Sequence, residues 1–259
     1  MRIDLITIFP EYFAAALETG MLRVARERKL VEVRTVNLRD FTADKHRTTD
    51  DSPFGGGAGM VMLADPLFRA VESVVPARAT EPGAGPGARV VLLTPQGAPL
   101  DQAGVRRLSG ESHLVLLSGR YKGVDERVAQ QLVDEEISLG DFVLSGGEPA
   151  ALCLLDAVVR LQPGVLGDFD SAESDSFQSG LLDCAYYTRP AEYRGLQVPD
   201  ALLSGDHGRI ARYRREDALR RTWERRPDLL RRAELSEEDR RYLARLESEC
   251  RKERGVSSS

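Results

Sequence analysis

Two glycine-rich turns constrain the fold of this chain more than any other feature. The first, Ser-Gly-Arg-Tyr-Lys-Gly at 118–123, follows the continuous apolar run 113–117. The second, at 139–147, ends in Ser-Gly-Gly and precedes apolar residues at helical spacing over 150–161. Continuous apolar runs are typical of strands buried on both faces of a parallel sheet. The pattern predicts an α/β protein whose glycines let backbone amides approach a ligand, although two ordinary tight turns would give the same pattern.

The amino-terminal part of the chain predicts a parallel sheet. Its residues indicate a strand over 3–9, an amphipathic helix over 12–28 and a second strand over 31–37, which together make a βαβ unit. A later strand at 90–93 ends in Thr-Pro-Gln-Gly at 94–97. We expect this third turn to lie beside the two glycine turns at the carboxyl edge of the sheet, where open α/β sheets bind ligands.

Other local patterns are less specific. Four glycines at 55–59 precede a predicted helix at 62–75, and this loop is either a functional surface or a plain linker. The segment 76–88, rich in Pro, Gly and Ala, is predicted to be an exposed loop. Ser145 and Glu148 have the spacing of a capping box, and Pro149 suits a first helical turn.

Composition and motif spacing exclude several classes of protein. Neither glycine turn has the G-x-G-x-x-G or G-x-x-x-x-G-K-[ST] spacing of nucleotide loops, which disfavours a ligand held by its pyrophosphate. No apolar run approaches the roughly 18 residues of a membrane span. Asp4 lies inside the first apolar segment, which predicts a strand rather than a signal peptide. The three cysteines are odd in number and lack metal-ligand spacing, so we expect a reducing, cytoplasmic location and no metal site.

The composition changes after Pro163 and Gly164. Serines and acidic residues dominate 167–180, which is typical of a flexible linker, and helical patterns follow at 206–223, 228–233 and 236–254. Ser236 is a predicted helix cap. These patterns predict four segments, listed in chain order: a ligand-binding domain at 1–166, a linker at 167–180, a helical domain at 181–254 and a disordered tail at 255–259.

Basic residues are concentrated in the predicted helical domain. The net charge of the chain is −5, yet ten arginines against four acidic residues lie within 207–232, together with Tyr213 and Trp223. Guanidinium groups pair with phosphates, and both guanidinium and aromatic groups stack on bases. The segment therefore predicts a nucleic-acid surface, although a solvated arginine-rich helix would have the same composition.

Nine short sequence blocks occur in one order along the chain. The blocks are Arg-Asp-Phe at 39–41, His-Arg-Thr at 46–48, the glycine loop at 55–60, Thr-Pro-Gln-Gly at 94–97, Gly-Arg-Tyr at 119–121, Gly-Asp-Phe-Val-Leu-Ser-Gly-Gly-Glu at 140–148, Pro-Gly-Val-Leu-Gly at 163–167, Asp-Ser-Phe at 175–177 and Tyr-Thr-Arg-Pro at 187–190. Together these blocks resemble the TrmD family of bacterial tRNA (guanine-N1-)-methyltransferases, and the similarity extends from about Met1 to Leu235.

The resemblance implies an α/β fold of the SPOUT class, in which the chain forms a deep trefoil knot around S-adenosylmethionine. It also implies a homodimer with two sites at the subunit interface. The implied substrate is tRNA, methylated at N1 of the guanine at position 37 beside the anticodon. Whether Mg²⁺ is a further cofactor stays open.

The resemblance also implies the site residues. Guanine N1 must lose its proton before it attacks a methyl group, so a general base is needed, and charge that develops on O6 needs a counter-charge. By position, Asp175 matches the base and Arg160 matches the group that stabilises O6. The implied cofactor contacts are Thr94, Pro95, Gln96, Gly119, Tyr121, Gly123, Leu139, Gly140, Asp141, Phe142, Val143, Leu144, Gly146 and Gly147. The expected tRNA contacts are Gly57, Gly59, Arg189, Arg209, Arg214, Arg215 and Arg220.

The chain departs from the family pattern at Lys122, where the usual residue is acidic, and at Phe142, where tyrosine is more usual.

Three alternative functions remain. A non-catalytic RNA-binding protein would not bind S-adenosylmethionine. A related knotted methyltransferase acting on ribose or on ribosomal RNA would not need a general base, because a base is needed only where an N–H proton must be removed. A nicotinamide oxidoreductase lacks its fingerprint here.

Overall fold

The computed structural model describes residues 1–76, 87–166 and 175–256. It contains two units, Met1–Gly167 and Asp168–Ser259, and each is described by itself. Most of the predicted exposed loop at 76–88 and the first part of the predicted linker, 167–174, lie outside the described residues. Within the described part of the chain, no helix combines the length and the apolar character that crossing a membrane requires.

The first unit is built on a parallel sheet. Its strands are β1 (Arg2–Thr7), β2 (Glu32–Asn37), β3 (Asp50–Asp51), β4 (Val61–Met62), β5 (Arg89–Pro99), β6 (His113–Ser118) and β7 (Glu135–Ser138). Its helices are α1 (Ala14–Leu17), α2 (Gly20–Glu27), α3 (Ala64–Val74), α4 (Gln102–Ser109), α5 (Glu126–Leu132) and α6 (Glu148–Val159), with 3-10 turns at Pro10–Phe13 and Leu38–Phe41. Five strands pair in the order β2-β1-β6-β5-β7, and every pair is parallel. Strands β3 and β4 form a separate antiparallel hairpin.

The central strand β6 is buried on both faces, which accounts for its unbroken apolar sequence. Leu114 and Leu116 belong to the core that also contains residues of α2, α4 and α6. Val115 and Leu117 belong to the opposite core, with residues of α3 and α5. All four side chains are fully buried. The strand is covered on both faces, which confirms the predicted α/β class and the buried parallel sheet.

Two predicted elements differ in the structure. The helix expected at 12–28 is broken into a 3-10 turn, α1 and α2, because Thr19 is extended (φ −130°, ψ 160°) and its hydroxyl donates to the Ala15 and Ala16 carbonyls. The strand expected to end at Leu93 continues to Pro99. Leu93 and Ala98 both lie opposite Ile137, so the 94–97 turn is a bulge within β5.

The second unit is mainly helical in its described residues. A hairpin of β8 (Glu192–Tyr193) and β9 (Leu196–Gln197) precedes α7 (Asp200–Leu203), α8 (His207–Arg225), α9 (Pro227–Leu230) and α10 (Glu237–Val256). Leu181, Leu219 and Leu243 form its buried core.

The ends of α10 test two predictions. The Ser236 hydroxyl accepts from the Asp239 N–H at 3.1 Å, and the Asp239 carboxylate accepts from the Ser236 N–H at 2.9 Å. The predicted Ser236 cap is thereby confirmed. The helix continues through Gly255 and Val256, the first two residues of the tail predicted to be disordered at 255–259, and the last three lie outside the described part of the chain.

Candidate active site

The three predicted turns converge on one cavity at the carboxyl edge of the sheet. The cavity, which we call the rim cavity, has a volume of about 340 Å³ and is lined by residues of the 94–97, 118–123 and 139–147 turns. The predicted cofactor contacts all lie in the described part of the chain, and of these only Asp141 does not line it. A larger cavity of about 1100 Å³ opens beside Phe54 and Asp65 in the first unit, but it contains none of the three turns.

Charged side chains form one part of the wall of the rim cavity, and apolar side chains form another. Arg120, Lys122, Glu126 and Glu136 place two basic and two acidic groups around it. The exposed side chains of 142–144 contribute its apolar rim, and Val143 is 88% exposed. Exposed apolar side chains beside a cavity are a suitable surface for the flat face of a ligand ring.

Backbone contacts fix the spacing between the turns. The Gly147 N–H donates to the Gly119 carbonyl at 2.8 Å, and Arg120 pairs with Gly146 in an isolated antiparallel bridge. Just after the 94–97 bulge, the Leu100 N–H donates to the Ser138 carbonyl at 2.8 Å, next to the 139–147 turn. Backbone hydrogen bonds therefore connect the turns or the residues beside them at one edge of the sheet.

Gly146 and Gly147 are required by this close approach. A Cβ on Gly146 would lie 2.5 Å from Arg120 Nε and 2.5 Å from a Glu148 carboxylate oxygen. A Cβ on Gly147 would lie 2.8 Å from Ser118 Cα. At these two positions, which also line the rim cavity, the missing side chains make room for the neighbouring turn.

Glu148 has a different role from the predicted one. It is fully buried, and α6 begins after Gly147 without a side-chain cap, so the predicted capping box of Ser145 and Glu148 is wrong. The Glu148 carboxylate accepts from the Thr7 hydroxyl at 2.7 Å and from Arg120 Nε at 3.0 Å. Because a buried charge is costly without partners, the tertiary contacts outcompete the local cap. Pro149 does lie in the first turn of α6, as predicted.

The 118–123 turn also binds the loop that contains the four glycines. The Lys122 N–H donates to the Met60 carbonyl at 3.0 Å, and the Met62 N–H donates to the Gly123 carbonyl at 3.0 Å. Tyr121 adopts a left-handed backbone (φ 61°). Burial and the Asp50 carboxylate raise the pKa of the Tyr121 hydroxyl. The exposed loop with Gly57 and Gly59 is thus anchored beside the rim cavity.

The predicted catalytic residues lie in different units. Arg160 ends α6 in the first unit, is half-buried, and donates its N–H to the Asp156 carbonyl at 3.1 Å. Asp175 opens a hydrogen-bonded turn of the second unit, where its carbonyl accepts from the Gln178 N–H at 3.2 Å. Asp175 is also half-buried.

The predicted tRNA-contacting arginines fall into two groups. Arg189, Arg209 and Arg214 are exposed, and the Arg214 guanidinium lies 5.8 Å from the Tyr186 ring centre. Arg215 instead binds both carboxylate oxygens of buried Asp239, at 3.0 and 2.8 Å. Arg220 pairs with Asp217, which is only 4% exposed.

Comparison with known proteins decides the family. The family model described as tRNA (Guanine-1)-methyltransferase TrmD matches residues 1–232. The tRNA (guanine-N(1)-)-methyltransferase of Moorella thermoacetica is 53% identical over 245 residues, which cover 94% of this chain and 95% of that protein. This chain belongs to the TrmD family. The protein of the same name from Brevibacillus brevis is 50% identical over 249 residues, covering 96% and 99% of the two chains. The one from Aromatoleum aromaticum is 53% identical over 248 residues, covering 96% and 94%.

The TrmD family match confirms the resemblance stated from the sequence, and it extends into both units. Sequence reasoning missed the strand residues Leu92, Ile137 and Ser138, which also line the rim cavity. Their signal lay in the pairing register of β5 and β7, which no single segment contains. Among the described residues, no group of three or more His, Cys, Asp or Glu side chains could hold a metal ion.

Proposed function

We propose that this protein transfers the methyl group of S-adenosylmethionine to N1 of the guanine at position 37 of tRNA. The observation that carries the proposal is the convergence of the 94–97, 118–123 and 139–147 turns on one cavity, in a chain that belongs to the TrmD family. The close crossing of the last two turns supports the SPOUT class and a trefoil knot at this edge of the sheet.

The residues present fit the proposed cofactor. A volume of about 340 Å³ lies within the range of small-molecule sites, about 300–1,000 Å³. The apolar side chains of 142–144 can cover an adenine ring, and backbone groups of 94–96 and 139–140 can bind its polar edge. The mixed charges of Lys122, Glu126 and Glu136 suit a ligand whose amino-acid part carries both signs. When bound, S-adenosylmethionine supplies an electrophilic methyl group on its sulfonium.

The chemistry at guanine falls to two side chains. The Asp175 carboxylate would remove the N1 proton, and the freed lone pair of N1 would form the bond to the methyl carbon as the carbon–sulfur bond of the donor breaks, which leaves S-adenosylhomocysteine. The Arg160 guanidinium stabilises the negative charge that moves to O6. Asp175 lies in the predicted linker at 167–180, and ordering of this segment on tRNA binding would make catalysis depend on substrate recognition.

Substrate binding and assembly follow the same proposal. The exposed arginines 189, 209 and 214 contact tRNA phosphates, and the target guanine leaves its stack to reach the rim cavity. The active form is a homodimer with the sites at its interface. Light scattering at micromolar concentration tests the assembly, since a monomeric mass would contradict it.

Methyl transfer tests the substrate and the base together. Labelled cofactor is incubated with tRNA transcripts that carry guanine or adenine at position 37, using the wild type, Asp175→Ala and the control Glu192→Gln in the exposed hairpin. We expect label only on the guanine transcript. Because general bases contribute about 10²–10⁴-fold, Asp175→Ala should lower the rate at least about 100-fold, and the control should not.

Each alternative gives a different result. Equal transfer to both transcripts would remove the substrate proposal, and an undiminished Asp175→Ala rate would remove the mechanism. RNA binding without cofactor binding would favour a non-catalytic RNA-binding protein, for which the arginines of α8 would suffice.

A further inference from the structure

An ion pair crosses from one glycine turn to the other beneath the rim cavity. Arg120 lies in the 118–123 turn, and Glu148 directly follows the 139–147 turn. Arg120 Nε lies 3.2 and 3.0 Å from the two oxygens of Glu148. The backbone bridge between Arg120 and Gly146 runs beside it. A side-chain pair and a backbone bridge thus join the same two turns.

The partners of this ion pair leave little freedom to Glu148. Its side chain has no exposed surface, and one of its oxygens also accepts from the Thr7 hydroxyl at 2.7 Å. Thr7 is the last residue of β1, and its hydroxyl accepts in turn from the Phe9 N–H at 2.9 Å. A fully buried carboxylate must keep such partners, because removing one leaves a charge without compensation. Glu148 is therefore fixed to the sheet as well as to Arg120.

Arg120 is held from two further directions. Its guanidinium lies 4.3 Å from the centre of the Phe9 ring, within cation-π range. The backbone N–H of Arg120 donates to the Met62 sulfur at 3.1 Å. The missing Cβ of Gly146 leaves the space in which Arg120 and Glu148 meet. The planar guanidinium thus contacts both the Glu148 carboxylate and the Phe9 ring.

We infer that Arg120 and Glu148 are positioning residues, which set the distance between the 118–123 and 139–147 turns before a ligand enters the rim cavity. The pair acts through the turns that line the cavity rather than on the reacting atoms. Pre-organised walls reduce the ordering cost of binding, so a loosened pair weakens binding without changing the contacts themselves. The identity of the ligand rests on the proposed function. The conclusion that the ion pair holds the two turns in position does not.

Two variants and a matched control test this inference in the full-length protein. Glu148→Gln keeps the shape but removes the charge, and Arg120→Lys keeps the charge but removes the planar fork. The control is Asp4→Asn. Asp4 is also fully buried and binds Arg2, Arg34 and His113, but it lies earlier in β1, away from the rim cavity.

Two measurements are compared for all four proteins. Hydrogen exchange, measured on the protein without ligand, reports how well ordered the 118–123 and 139–147 turns are. Calorimetry reports the affinity for S-adenosylhomocysteine, the product form of the proposed cofactor. For both rim variants we expect exchange in these two segments to quicken about tenfold. We expect the dissociation constant to rise about tenfold, which equals about 1.4 kcal/mol. Asp4→Asn should change neither.

The outcomes separate this inference from the proposed function. Unchanged exchange in the two turns, or equal quickening in Asp4→Asn, would overturn the positioning role, because a general loss of stability would then explain the data. Arg120→Lys guards against misfolding of Glu148→Gln, since it leaves the buried carboxylate compensated. If the wild type does not bind S-adenosylhomocysteine while the turns still loosen in the rim variants, the proposed function fails and the positioning role stands.

Discussion

Replacing Arg215, and Arg209 as a control, should distinguish the arginines of α8 that stabilise the fold from those that bind RNA. Arg215 was expected to contact tRNA, but its guanidinium binds both oxygens of Asp239, whose side chain is 6% exposed. We predict that Arg215→Gln destabilises the second unit. Arg209→Gln, on the same helix and exposed, should not change its stability, because exposed substitutions usually stay within about 0.5 kcal/mol.

The pKa of Asp239 gives the size of the stability loss expected for Arg215→Gln. Hydrogen bonds from Arg215, and then from Ser236, lower this pKa from 3.8 to about 2 against the opposing effect of burial. A depression of this size corresponds to about 2 kcal/mol of stability. Arg215 is 39% exposed, and solvent screening of its charge lowers the expected cost of Arg215→Gln to about 1–2 kcal/mol at pH 7.

The same pKa fixes the direction of the pH dependence. The Asp239 carboxylate has a lower pKa in the folded state, so its contribution is complete well above pH 3.8 and is lost as the pH falls through about 2. The cost of Arg215→Gln should therefore fall to about half between pH 7 and pH 3.

Trp223 makes the assay specific to the second unit. It is the only tryptophan of the chain, and it packs against the core of Leu181, Leu219 and Leu243. Urea unfolding followed by its fluorescence at pH 7 and pH 3 gives the two free energies for each variant. An unchanged stability of Arg215→Gln, or a cost that is the same at both pH values, would refute the ion pair as the cause.

Two further predictions concern the rim and the arginine surface. Gly147→Ala should lower stability by about 1–3 kcal/mol in urea unfolding, because its Cβ would overlap Ser118, whereas Gly104→Ala inside α4 should raise it by about 0.5–1 kcal/mol. Equal effects would contradict the close approach at Gly147. Arg209→Gln should lower the slope of log affinity for tRNA against log salt by about 1 in filter binding, while Arg215→Gln should leave that slope unchanged.

Much of the sheet was predictable because its signals are local. The apolar run of β6 required cover on both faces, and the structure supplies it with two cores. The meeting of three turns at one edge followed from parallel strands alone. The bulge at 94–97 did not, because it depends on Leu93 and Ala98 sharing one partner, Ile137, in another strand.

The arginines of α8 show the limit of reading charge from composition. The surplus of arginine predicted a nucleic-acid surface, yet Arg215, Arg220 and Arg221 pair with the buried carboxylates of Asp217 and Asp239. A buried acid one turn away on the same helix, as Asp217 is, or on another helix, as Asp239 is, pairs with an arginine that the composition counts as part of the basic surplus. Only the burial of the acids distinguishes the arginines that stabilise the unit from those that can reach a ligand.

Glu148 shows the same limit at the site itself. Its spacing from Ser145 fits a capping box, and nothing within one helical turn argues against that interpretation. The competing partners are Thr7, which is 141 residues away, and Arg120, which is 28 residues away. The two glycines before Glu148 were the available signal. Where a close approach of two turns removes the space for any Cβ, the next polar side chain is more apt to be buried between those turns than to cap a solvated helix end.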